Sequence, residues 1–107
     1  MSKTAVGKVG EFEDGLVYSF MVEGSDVAVV RRGEDFFAFR NLCTHSAYSF
    51  DRLCLNPDGN LTCVGHFAVF DVATGEALTG PTSSPLPTYK VAVEGDEVVL
   101  DLEGASA

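Results

Sequence analysis

Tyr89-Lys90-Val91-Ala92-Val93-Glu94-Gly95-Asp96-Glu97-Val98-Val99-Leu100-Asp101-Leu102 reads as two strands folded back on a tight turn. Tyr89, Val91 and Val93 alternate with Lys90, Ala92 and Glu94, the period of a strand with one buried face. After Gly95-Asp96, Val98, Leu100 and Leu102 take up the same rhythm, so an antiparallel hairpin is predicted. Upstream, Leu16 to Val22, Val27 to Arg31 and Phe36 to Arg40 are further runs of β-branched and aromatic residues. Turn chemistry separates them at Glu13-Asp14-Gly15, Glu23-Gly24-Ser25-Asp26, Arg32-Gly33-Glu34-Asp35 and Asn56-Pro57-Asp58-Gly59-Asn60. No window carries a helical stripe longer than two turns. The chain is predicted to be all-β and antiparallel.

At 107 residues it has room for one domain with a modest core. Hydrophobic residues at 46% and charged residues at 21% place it among globular chains. Met1 to Lys8 lacks the apolar core of a signal peptide, and no run approaches the roughly 18 apolar residues of a membrane span. A soluble, cytoplasmic, monomeric protein is therefore expected, with no membrane partner. Sixteen Asp and Glu against seven Lys and Arg give a net charge of −9, which argues against a nucleic-acid partner. That acidity serves either solubility or electrostatic docking on basic partners, and composition leaves both open.

Thr79 to Pro87 holds three prolines in nine residues and reads as a stiff loop packed over something. The chemistry is concentrated just before it. The only two histidines each sit close to a cysteine, in Cys43-Thr44-His45 and in Cys63-Val64-Gly65-His66, with seventeen residues between the pairs. Two thiolates and two imidazoles form a complete set for tetrahedral zinc or for a binuclear cluster with two ligands on each iron. Zinc knuckles usually pair like with like, which favours the cluster, but spacing alone keeps both readings. Cys54, in Leu53-Cys54-Leu55, reads as a small buried hydrophobe.

Cys43-Thr44-His45, Cys63-Val64-Gly65-His66, Phe70-Asp71, Thr74-Gly75, Pro81 and Pro85-Leu86-Pro87 together resemble a Rieske ferredoxin. The closest likeness is to the ferredoxin components of bacterial aromatic-ring hydroxylating dioxygenases. The resemblance implies an antiparallel β-sandwich with a small cluster-binding subdomain at about 42–87, within a single domain of residues 1–107. It implies one Rieske-type [2Fe–2S] cluster, with Cys43 and Cys63 on the inner iron and His45 and His66 on the outer. The Pro81 to Pro87 loop would cover the cluster from a third side.

The implied function is single-electron transfer from an NAD(P)H-dependent, flavin-containing ferredoxin reductase to a terminal oxygenase. An oxygenase subunit would need two more histidines for mononuclear iron, so no catalysis is expected of this chain. A Rieske-like accessory subunit of another oxidoreductase and a zinc-stabilised interaction module are the alternatives.

Departures from the family pattern refine the expectation. The second box lacks the usual Cys-Pro and His-Gly pairs, having Val64 and Phe67 instead. High-potential relatives carry a disulfide where this chain has Tyr48 and Gly65, and Cys54 has no partner to replace it. Where those relatives have a Ser and a Tyr donating to sulfur, this chain has Ala68 and Phe70. Without such donors the reduced cluster is less stabilised, so a potential nearer about −150 mV than +300 mV is expected.

Overall fold

The computed structural model describes residues 3–22, 24–41, 50, 53–62, 69–79 and 86–101. Among the described residues nine strands follow in chain order: β1 (Lys3–Lys8), β2 (Val17–Val22), β3 (Ser25–Arg32), β4 (Asp35–Arg40), β5 (Leu61–Thr62), β6 (Val69–Phe70), β7 (Ala77–Thr79), β8 (Thr88–Glu94) and β9 (Glu97–Asp101). A single 3₁₀ turn, Val9–Glu11, separates β1 from β2. Every pairing between named strands is antiparallel.

Six strands form one sheet in the order β1-β9-β8-β4-β3-β2, and β5-β6-β7 form a smaller one. The large sheet is folded on itself at β8. That strand meets β4 only through Ala38–Tyr89 and Phe39–Thr88, then runs beside β9 from Lys90 to Glu94. Val27, Val29, Phe36 and Ala38 on one half thereby face Val98 and Leu100 on the other, with Phe12 closing the gap. Phe12 meets Tyr18 and Phe36 edge-on, with ring centroids 5.0 and 5.5 Å apart, the geometry that aromatic quadrupoles favour.

The alternate residues of the same strands build a second core. Ala28, Val30 and Phe39 point the other way and pack with Val17, Phe50, Leu61, Phe70, Val72 and Leu86. Val27 to Val30 are thus all fully buried, two into each core. This explains why β3 reads as an unbroken apolar run rather than an alternation. Burying each such side chain is worth roughly 1.5–3 kcal/mol, so β3 ties the sandwich to the small sheet.

The predicted hairpin forms, with Val91 opposite Leu100 and Val93 opposite Val98. Val93, near its tip, is nevertheless 45% exposed, although its partner Val98 is fully buried. The Cys54 expectation is overturned: its thiol is free and exposed. Leu53 and Leu55 pack on the core, and strand-like alternation turns the residue between them outward at its bridge with Leu16.

β1 was not legible in the sequence. It pairs with β9 through a bulge, Ala5 opposite Val99 and Gly7 opposite Val98, which breaks the period of two. β5 and β6 are two residues long, too short to show any period.

Candidate metal centre

Cys43, His45, Cys63 and His66 lie outside the described residues, as do Tyr48, Gly65, Phe67 and Ala68. So does 80–85, the central part of the proline-rich segment. The described residues on either side of these segments show how the fold anchors them.

The segment 42–49, which carries Cys43 and His45, leaves β4 at Asn41 and rejoins described chain at Phe50. Asn41 is only 4% exposed, yet its polar atoms are engaged. Its backbone N–H donates to the carbonyl of Asp26 at 3.0 Å, and Nδ2 donates to Asp26 Oδ1 at 3.2 Å. Its Oδ1 accepts the backbone N–H of Phe50 at 2.8 Å. One residue therefore joins the two flanks of this segment to each other and to the start of β3.

The segment 63–68, which carries Cys63 and His66, connects β5 to β6. Its ends are closed by the pairs Thr62–Val69 and Leu61–Phe70. The third segment, 80–85, runs from β7 to Leu86. Leu86 donates its N–H to the carbonyl of Gly75 at 2.7 Å, and Pro87 accepts from the N–H of Arg40 at 2.9 Å.

These anchors interlock. Phe50, ending the first segment, meets Phe39 at 5.7 Å and Phe70, beside the second, at 6.3 Å, both edge-on. β6 and β7 join the second segment to the third through Val69–Thr79. Arg40–Pro87 joins the third to the first. Phe39, Phe50, Leu61, Phe70 and Leu86 all belong to one core, so that core is the common anchor of all three segments.

Phe70, Val72 and Leu86 are each at most 2% exposed. Phe70 carries no hydroxyl where high-potential relatives have a donor. Among the described residues no other group of three or more His, Cys, Asp or Glu gathers to hold a metal. Two surface cavities among the described residues lie on the sandwich. In one of them Arg31 is committed to backbone carbonyls of Gly33, Val9 and Phe12 at 2.8 to 3.4 Å.

Sequence reasoning named a candidate donor set but not the residues that fasten the segments carrying it. Asn41 carries no signal in a single sequence, since its partners Asp26 and Phe50 are fifteen and nine residues away. Gly75 was visible only as part of the Thr74-Gly75 pair.

Comparison with known proteins agrees with this geometry. The family model described as "Rieske [2Fe-2S] domain" matches residues 2–90. The ferredoxin component of biphenyl 2,3-dioxygenase from Rhodococcus jostii (strain RHA1) is 34% identical over 104 residues, covering 97% of this chain and 96% of that one. The ferredoxin of carbazole 1,9a-dioxygenase from Nocardioides aromaticivorans IC177 superposes with a TM-score of 0.87 at 30% identity, over 94% of this chain and 97% of the other. A ferredoxin solved in complex with the reduced oxygenase of carbazole 1,9a-dioxygenase gives a TM-score of 0.84 at 28% identity, covering 92% of each chain. The chain belongs to the Rieske [2Fe–2S] domain family and takes that family's cluster.

Proposed function

We propose that this chain is the ferredoxin of an aromatic-ring dioxygenase system, with Cys43 and Cys63 on one iron and His45 and His66 on the other. It carries single electrons from an NAD(P)H-dependent flavin reductase to a terminal oxygenase. The observation that carries the ligand assignment is the shared core beneath both ligand-bearing segments. Phe50, just after the first ligand-bearing segment, and Phe70, just after the second, are in ring contact at 6.3 Å, which supports one shared site for the two Cys–His pairs. The cluster, when bound, supplies a centre that gains and loses one electron at a time.

The protein's part is to hold four donors, to keep an apolar floor under them and to present an acidic surface. The relatives' names and the ferredoxin–oxygenase complex support the oxygenase as acceptor. The reductase follows from the need for a donor at the nicotinamide level. We place the protein in the cytoplasm as a monomer, in one domain whose residues at about 42–87 form the cluster-binding part. No helix among the described residues is long and apolar enough to cross a membrane.

Iron and acid-labile sulfide analysis with EPR tests the assignment. The wild type and Cys54→Ser should contain about two irons per chain and the signal of a mixed thiolate–imidazole cluster. His66→Ala should lose both. A colourless wild-type protein containing zinc would refute the cluster, and an iron-free Cys54→Ser protein would refute the choice of thiolates.

A further inference from the structure

We infer that Asn41 is a positioning residue for the cluster: its side chain is a clasp that sets the separation and orientation of the two ends of the segment carrying Cys43 and His45. The inference rests on the ligand assignment above.

Asn41 is the only buried polar residue among the described ones, and at 4% exposure it cannot fall back on water if its partners are lost. Its two side-chain bonds have different targets. Oδ1 takes the N–H of Phe50, so residues 41 and 50 are held together across the eight residues that separate them. Nδ2 donates to the carboxylate of Asp26, a charge-assisted bond that fixes which way the amide faces. With Nδ2 committed to Asp26, only Oδ1 remains to meet the Phe50 N–H. Asp26 thereby selects the amide orientation that closes the clasp.

The clasp is also tied into the core. Phe50 packs on Phe39 and Phe70, and Asn41 follows Arg40, whose N–H holds Pro87. A shift at the clasp would thus be felt at the ends of all three segments. A carbonyl-bearing side chain that also donates is needed here, and Asn is the shortest residue offering both. Asp in its place accepts from Phe50 but sets a second carboxylate against Asp26. Ala does neither job.

Neighbours that orient a metal's ligands typically account for roughly 10–100-fold in metal affinity. The expected order of iron release to a ferrous or ferric chelator is therefore wild type slowest, Asp26→Ala and Asn41→Asp faster, and Asn41→Ala fastest. The last should release iron roughly 10–100 times faster than wild type. The g-values of any retained cluster should shift in Asn41→Ala. Val98→Ala is the control, since it weakens the other core, away from all three segments. It should lower the melting temperature while leaving the g-values and the release rate at ambient temperature unchanged.

Wild-type release and g-values retained in Asn41→Ala would overturn the proposal, as would a Val98→Ala protein matching its spectral shift. If Asn41→Ala does not fold, Asp26→Ala decides, because it keeps the Phe50 bond and removes only the orienting partner. An unchanged Asp26→Ala protein would then refute the clasp. A wild type without iron would instead refute the ligand assignment, so the two failures are distinct.

Discussion

Gly75→Ala should be among the most damaging single-methyl additions in this protein. Gly75 is buried at φ +79° and lies at the crossing of two turns. Its N–H donates to the carbonyl of Asp71 at 2.6 Å, and its carbonyl accepts from the N–H of Leu86 at 2.7 Å. A Cβ there would overlap the carbonyl oxygen of Leu86 and lie 3.0 Å from Thr88 Cγ2. The first obstacle is backbone and cannot rotate away, so the Leu86 strand end must move. The left-handed conformation alone costs alanine roughly 1–2 kcal/mol. Losing the Leu86 hydrogen bond adds about 1 kcal/mol, and partial withdrawal of Leu86 from the core adds about 1–2 kcal/mol. Together these give about 3–5 kcal/mol.

Gly95→Ala isolates the first contribution. Gly95 has φ +67° in the β8–β9 turn, with open space where a Cβ would go. Its cost should be only the roughly 1–2 kcal/mol of the conformation. For a domain of this size about 4 °C of melting temperature is lost per kcal/mol. The two variants, scanned by circular dichroism at one heating rate, should therefore lose roughly 12–20 °C and roughly 4–8 °C respectively. Equal losses would refute the claim that the Leu86 backbone is pinned against Gly75.

Two further outcomes test the electron-carrier reading. A redox titration should place the midpoint near the lower end of the Rieske range, about −150 mV, because Phe70 has no hydroxyl and its surroundings are apolar. A midpoint above about +100 mV would contradict this account of the missing donors. Reduction by the flavin reductase should slow as salt rises, since the Debye length falls from about 8 Å at physiological strength to about 3 Å at 1 M. A rate indifferent to salt would assign the net charge of −9 to solubility rather than docking.

Much of the fold was legible because β-strands advertise one-sided burial through a period of two. The β8–β9 hairpin obeys that rule. The type of cluster was legible for a chemical reason. Thiolate and imidazole are the side chains such a cluster needs, and this chain's two histidines both stand beside cysteines. Local pattern ends where burial is two-sided, interrupted or distant. β3 is covered on both faces, and β1 has its period broken by a bulge. The exposure of Cys54 depends on a bridge to Leu16, nearly forty residues earlier.

By itself, then, the sequence determined the all-β class, the hairpin and the chemical identity of the centre, all of which rest on residue type and short spacing. Only the tertiary structure decided that β2–β4 would lie between two cores, and that one of those cores would anchor the ends of segments 42–49, 63–68 and 80–85. It also decided that Asn41 and Gly75 would fasten those segments. The physical reason is that a hydrogen bond such as Asn41–Phe50 or Leu86–Gly75 exists only once packing has brought its ends together.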